Sequence, residues 1–422
     1  MRYIKTTLKN GMRVLLVPMK DAKSFTLLVL FGTGSKYEIK KNNGISHFLE
    51  HMFFKGTRSR PRPGEISQAL DDIGAEHNAF TAKEYTGYWV KAAARHFPLA
   101  LDIVSDILLE PLFDAREIEK ERGVIFQEMN LYRDTPQRRI HTIFESLLYG
   151  DQPAGWDIIG TTEALTSLSR KDFLQYRKTH YVGSNAVLVV AGACKEAEAI
   201  RRITKVFSDF SNGKPKQKIA VREHQTKPAV HIEYKKTDQT HLVMGGRAYD
   251  MFDERRFAAL VLATILGGKT SSRLFQDIRE KRGLAYTVSA NAEQFTDSGY
   301  FSVYAGVPHE KAMEVVRRVI YGFKKIREEG VVSGELRRAK DYWRGQFAIS
   351  LESSDEVASF FGGHELFYRA SVTPEELMDR IEMVGAAEIQ QAARDIFQTN
   401  GMNAALIGPH KGDMAFEELL TI

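Results

Sequence analysis

The sequence predicts an α+β protein of two similar domains, each an antiparallel sheet with helices packed largely on one face. Three observations predict it. The chain has 422 residues, too many for one ordinary hydrophobic core. Each half reads as strands, a helix, more strands and then helices. Finally, the sequence repeats itself. TGYWVKAAARHFPLALDIVSDIL begins at Thr86 and SGYFSVYAGVPHEKAMEVVRRVI at Ser298, an offset of 212 residues. That offset sets Gly87 on Gly299, Tyr88 on Tyr300, Ala100 on Ala312, Val104 on Val316 and Gly56 on Gly268. Between the copies, SNGKPKQKIAVREHQTKP (Ser211 to Pro228) is polar, basic and contains Pro and Gly, as linkers often do. The expected division is a domain over 1–210, a linker over 211–228 and a degenerate repeat over 229–422.

Composition narrows the function classes. Hydrophobic residues make up 43% and charged residues 27%, the balance of an ordinary soluble globular chain. A net charge of +5 over this length tolerates acidic or peptide partners without calling for nucleic acid. The single cysteine, Cys194, excludes an internal disulfide framework and a Cys-based zinc site. It suits a reducing compartment, so a cytoplasmic location is expected. No apolar run approaches the roughly 18 residues of a membrane span. At the N-terminus, RYIKTTLKNGMRVLLVP reads as two short strands around Asn10-Gly11, a pair suited to a type I′ hairpin turn. Its apolar core is too short for a signal peptide.

The next element carries the chemistry. In NNGISHFLEHMFFKGT (42–57), Ile45, Phe48, Leu49, Met52 and Phe53 form the apolar stripe of a helix. His47, Glu50 and His51 lie on another face. Side chains at i and i+4 stand one above the other, so two imidazoles can grip one metal ion. Glu50, one residue before the second histidine, can reach a metal-bound water without being a ligand. This is H-x-x-E-H, the reverse of the H-E-x-x-H zinc motif. Two solvated surface histidines would give the same pattern. A catalytic zinc needs a third protein ligand from another element. The segment 114–134, DAREIEKERGVIFQEMNLYRD, suggests a long helix with apolar positions Ile118, Val124, Ile125 and Met129. Glu121 and Glu128, seven apart, share one face of it, and either can reach a neighbouring helix. The repeat sharpens the argument, because His47, Glu50 and His51 fall on Ala259, Leu262 and Ala263 in the second copy. The scaffold can form this helix without the polar trio.

GISHFLEHMFFKGT, GAEHNAFTAKEYTGYW and EKERGVIFQEM, in this order, resemble the pitrilysin/insulinase family of inverzincin peptidases, in the half-size form related to mitochondrial processing peptidase. The resemblance covers nearly the whole chain. It implies His47 and His51 as zinc ligands, Glu50 as general base, and one Zn2+ per chain. It also implies a third ligand 76 to 77 residues after the second histidine. Glu128 stands at 77, while Gln127 at 76 offers only a neutral amide, so Glu128 is chosen. Glu121 matches a glutamate that orients a histidine ligand or holds the charge balance. HNAFT (77–81) is similar to the strand beside the zinc, onto whose edge extended substrate docks, with Asn78 placed to meet a substrate carbonyl. Phe80 reads instead as part of a plain half-buried strand.

In the second half, GGKTSSRLFQDIREKRGLAYTVSA from Gly267 resembles the segment that supplies an arginine and a tyrosine from the opposite half of a clamshell. Residue by residue these are Arg279 and Tyr286, which would bind substrate carbonyls and the oxyanion. Arg282 is a rival for the arginine, and Lys269 departs from the usual small or apolar residue. The resemblance therefore implies hydrolysis of internal bonds of unfolded peptides in a closed chamber. It also implies assembly as a homodimer, or as a heterodimer with a related subunit. The other readings are a subunit of a hetero-oligomeric processing peptidase and a non-catalytic peptide-binding scaffold.

Overall fold

The computed structural model describes residues 1–422 except 371 and 413. It divides into two compact units. The first is Met1–Met129, Asp157–Ile219 and Gln346–Pro374; the second is Asn130–Trp156, Ala220–Gly345 and Glu375–Ile422.

The first unit is built on β1 (Ile4–Thr7), β2 (Arg13–Pro18), β3 (Ser24–Phe31), β4 (Glu76–Thr81), β5 (Thr86–Ala93) and β6 (Ala186–Gly192). Their order in the sheet is β1-β2-β6-β3-β5-β4. The second unit is built on β7 (Ala229–Tyr234), β8 (Thr240–Ala248), β9 (Thr287–Gln294), β10 (Gly299–Val307) and β11 (Asn403–Gly408), in the order β7-β11-β8-β10-β9. Apart from β1 the two orders correspond strand for strand, with β5 and β10 equivalent, as the repeat requires. Both sheets are mixed rather than purely antiparallel: β2 runs parallel to β6 and β7 to β11. In each case the parallel partner comes from the end of its copy, returned by intervening helices.

The central strands are buried on both faces, so they read as continuous apolar runs rather than alternating ones. On one face of the first sheet, Leu15, Val17, Leu28, Leu30, Val187 and Val189 pack with Val357, Ala358 and Phe361. The last three belong to the helix Ser354–Tyr368. Its Glu365 is fully buried and meets Lys5 at 2.8 Å and Arg13 at 3.6 Å. The alternate residues, such as Leu27 and Val29, face the other way, where the helices Phe97–Leu109 and Glu196–Phe207 lie. The second sheet is covered likewise. Val243, Ala405 and Ile407 pack on Ile140, Ile143 and Phe144 of the helix Pro136–Tyr149.

Each sheet thus takes one covering helix from the other half of the sequence. The linear boundary at 211–228 separates the strands but misassigns these two helices. The physical reason is that an amphipathic pattern shows that a helix is half-buried, but not against which sheet.

The N-terminal hairpin forms, with Thr7 paired to Arg13. Its turn is not type I′, which needs positive φ at both central residues. Only Gly11 has positive φ, at 86°, and its N–H donates to Leu8 O at 2.9 Å. Asn10 is buried instead; its Nδ2 donates to Phe207 O at 2.6 Å and its Oδ1 accepts from Met12 N at 3.1 Å. Among the described residues, no helix is long and apolar enough to cross a membrane.

Candidate metal centre

The helix Ile45–Met52 forms as its spacing dictates. Ile45, Phe48, Leu49, Met52 and the following Phe53 are each at most 1% exposed. That anchors one face in the core and turns His47, Glu50 and His51 to the other. The corresponding helix of the second unit, Arg256–Leu266, buries Ala259, Leu262 and Ala263 at the same positions.

The long helix Ala115–Arg133 buries Ile118, Ile125 and Met129. Val124 is 47% exposed, so it does not join that stripe. With this face inward, Glu121 is 3% exposed and Glu128 is partly buried, whereas Gln127 is exposed. Glu128 Oε2 lies 3.6 Å from His47 Nε2 and 3.6 Å from His51 Nε2. The edge of a tetrahedron with zinc–ligand bonds of about 2.0–2.1 Å is roughly 3.4 Å, so these atoms are spaced as ligands of one ion. Among the described residues they are the only such group of three or more. Two imidazoles and a carboxylate are a donor set that suits zinc and leaves a fourth position for water. The chain's residues therefore fit a resident zinc.

The supporting residues differ between the two histidines. His51 Nδ1 is bonded to Glu121 Oε1 at 2.9 Å, and Glu121 Oε2 accepts from Lys55 Nζ at 2.7 Å. A carboxylate behind the imidazole fixes both its tautomer and its orientation. His47 Nδ1 is buried and has no hydrogen-bond partner among the described residues. Burial and the neighbouring His51 push His47 down to about 3, so it is neutral and ready to ligate. Burial would lower His51 too, but the bond to Glu121 and the charges of Glu50 and Glu128 outweigh it and raise its pKa.

Glu50 stands beside this group. Its Oε2 accepts from Thr81 Oγ1 at 3.1 Å, and burial raises its pKa. Thr81 closes β4, the edge strand of its sheet. Alternation puts Asn78 and Phe80 on the opposite side of β4 from Thr81. Phe80 packs against the sheet's core cluster, as its half-buried reading expected. Asn78 is exposed, with Oδ1 accepting from Ala79 N at 2.8 Å, and is not brought into the cluster.

Comparison with known proteins gives the family. Residues 13–162 match the family model described as Insulinase (Peptidase family M16), and residues 167–342 match that described as Peptidase M16 inactive domain. The chain is 35% identical over 407 residues to an uncharacterized zinc protease, YmxG, of Bacillus subtilis, covering 96% of this chain and 97% of that one. The chain belongs to peptidase family M16. A second M16 relative, an uncharacterized zinc protease of Streptomyces coelicolor, is 33% identical over 417 residues, covering 97% and 90% of the two chains. The fold is that of a protease from Helicobacter pylori, with TM-score 0.91 at 22% identity over 97% of this chain and 99% of the other. It is equally that of an M16 inactive domain from Pseudomonas fluorescens, with TM-score 0.90 at 19% identity over 98% and 99%. The model named as inactive covers none of His47, Glu50, His51, Glu121 and Glu128.

The other residues expected at the site, Arg279 and Tyr286, lie in the second unit. Arg279 lies in a π-helical turn, Phe275–Glu280, with its guanidinium 4.7 Å from the ring of Phe275 and 5.0 Å from that of Tyr286. Tyr286 is 75% exposed. Arg282 is tied to Asp277 at 3.1 Å, so Arg279 is the arginine that accompanies Tyr286. Lys269 donates to Arg338 O at 2.9 Å and lies 5.5 Å from the ring of Tyr342. Sequence reasoning missed two supporting residues: Thr81, the last residue of HNAFT, and Lys55, one helical turn after His51; residue type alone marks neither.

Proposed function

We propose that the chain is a zinc metalloendopeptidase that hydrolyses internal bonds of unfolded peptides. The observation that carries this reading is the convergence of His47 Nε2 and His51 Nε2 on Glu128 Oε2 at 3.6 Å each, with Glu50 alongside. A bound zinc would supply a Lewis acid that polarises the scissile carbonyl and acidifies water. His47, His51 and Glu128 would hold it, and Glu121 would keep the His51 ring in its ligating tautomer.

Glu50 would take the proton of the attacking water and pass it to the leaving amine. Burial raises its pKa in the direction that a base working near neutrality needs, and Thr81 holds one of its oxygens in place. The edge of β4 favours extended peptide, which can add as a further strand through main-chain hydrogen bonds. Such a strand would run beside Thr81 and hence beside Glu50. Arg279 and Tyr286, stacked on each other and partly exposed, are proposed to hold substrate carbonyls and the oxyanion from a second copy of the chain.

Zinc content after gentle purification, together with digestion of a peptide library, tests the reading. About one zinc per chain, lost with His47→Ala, and cleavage of unstructured peptides are expected. A chain that binds no zinc would overturn it, and rapid cutting of stable folded proteins would overturn the restriction to unfolded substrates.

A further inference from the structure

Glu38 takes no part in the chemistry above, yet its side chain is 1% exposed. Its Oε2 accepts from Gly44 N at 2.7 Å and from Asn43 Nδ2 at 2.9 Å, and its Oε1 accepts from Ser46 N at 2.8 Å. These partners surround the start of the helix that carries His47. The first amides of a helix lack intrahelical acceptors. Here the N-cap residue is Gly44, at φ 95°, which has no side chain to supply one. Glu38 supplies it from outside the helix, its two oxygens accepting from the amides of Gly44 and Ser46.

The same turn is pinned on other sides. Asn43 Nδ2 also donates to Asp157 O at 3.1 Å. A Cβ on Gly44 would lie 2.6 Å from Ile159 O, so the turn closes tightly on that loop. Ser46 Oγ is bonded to Tyr176 Oη at 2.7 Å, which is bonded to Thr33 Oγ1 at 3.1 Å. The next residue is His47. Its Nδ1 has no hydrogen-bond partner among the described residues, whereas His51 is held by Glu121. With no hydrogen bond behind its ring at Nδ1, His47 is placed by the backbone turn to which it is attached and by packing.

We propose that Glu38 is a positioning residue for the metal centre: its carboxylate fixes the first turn of the His47 helix and thereby aims an imidazole whose Nδ1 has no hydrogen-bond partner among the described residues. This rests on the zinc-peptidase reading. The helix then has one polar anchor for each ligand, Glu121 acting on the His51 ring and Glu38 acting on the His47 backbone.

The test measures zinc affinity of the full-length chain by competition with a chromophoric chelator, at a temperature where every variant is folded by circular dichroism. Glu38→Gln keeps the shape but turns an amide nitrogen toward a donor. It should weaken zinc binding by roughly tenfold or more, the usual effect of losing a partner behind a ligand. Thr26→Val, which breaks the buried 2.8 Å bond to Ser354 on the far face of the sheet, should lower stability and leave zinc affinity unchanged. Should Glu38→Gln fail to fold, Asn43→Ala decides instead, with a several-fold loss expected. Wild-type affinity in the folded Glu38 or Asn43 variant, or an equal loss in Thr26→Val, would overturn the positioning role alone. A wild-type chain without zinc affinity would overturn the zinc reading, and the positioning role with it.

Discussion

Glu50 and Glu128 both lie beside the two histidines, and their contacts separate their roles. Glu128 presents one oxygen to both imidazoles, while Glu50 is tied to Thr81 and raised by burial. Glu50→Gln should therefore keep zinc and lose peptide hydrolysis by about 10²- to 10⁴-fold, the range of a general base. Glu128→Gln should weaken zinc itself, whereas Gln127→Ala should not, because Gln127 is exposed. Metal analysis of the two variants checks the assignment, and the reverse pattern would sink it. Glu38 gives a prediction in pH. Burial pushes its carboxyl up to about 7, against the pull of the Ser46 and Gly44 amides. The folded state then holds its proton more tightly than the unfolded chain does. The resulting stabilisation is complete below the unfolded value of 4.5 and is lost as pH rises through about 7. Chemical denaturation of the wild type and of Glu38→Gln should diverge over that window, by on the order of 3 kcal/mol. Parallel curves would show that the carboxyl titrates at its ordinary value.

The motif helix and its counterpart show what an element does with one backbone plan. Ile45–Met52 exposes a polar trio where Arg256–Leu266 buries Ala259, Leu262 and Ala263. The apolar version needs only packing, while the polar version needs Glu121, Lys55 and Thr81 around it. Ser354–Tyr368 makes the opposite point, since it holds none of the candidate ligands yet closes one face of the first unit's sheet. Phe361, fully buried there, should cost about 3–5 kcal/mol when changed to Ala, measured by equilibrium denaturation. A fragment of residues 1–228 contains every proposed zinc residue but leaves Leu15, Val17, Leu28 and Leu30 uncovered. It should therefore fail to fold into a zinc-binding unit. A soluble, cooperatively melting fragment with full zinc affinity would show that the helix is dispensable.

At the scale of the whole molecule the proposed assembly is a homodimer. Each site would take His47, Glu50, His51 and Glu128 from one subunit and Arg279 and Tyr286 from its partner copy. A two-fold pair of identical chains makes two equivalent sites. Chains carrying Glu50→Gln and chains carrying Arg279→Ala with Tyr286→Phe should each be inactive alone. Mixed after dissociation and reassociation, half the dimers would be hybrids with one intact site of two. Peptidase activity should then return to roughly a quarter of wild type. No recovery, despite demonstrated exchange of subunits, would mean that sites are completed within one chain or by a different protein.

The sequence by itself determined the local chemistry. The i, i+4 spacing of His47 and His51 follows from helix geometry, and the seven-residue step from Glu121 to Glu128 places both on one face of the second helix. The 212-residue offset likewise foretold two sheets of matching strand order. These features depend on periods that one strand or helix imposes on its own residues. Tertiary structure alone decided the rest. Choosing Glu128 over Gln127 took a family pattern in the sequence, whereas burial of Ile118, Ile125 and Met129 now settles which residue faces inward. Asn78 falls on the far side of β4 because Thr81 must face Glu50. The covering helices Pro136–Tyr149 and Ser354–Tyr368 go to sheets of the other sequence half. Hydrophobic burial has no direction along the chain, so the sequence marks which faces must be covered but not what covers them.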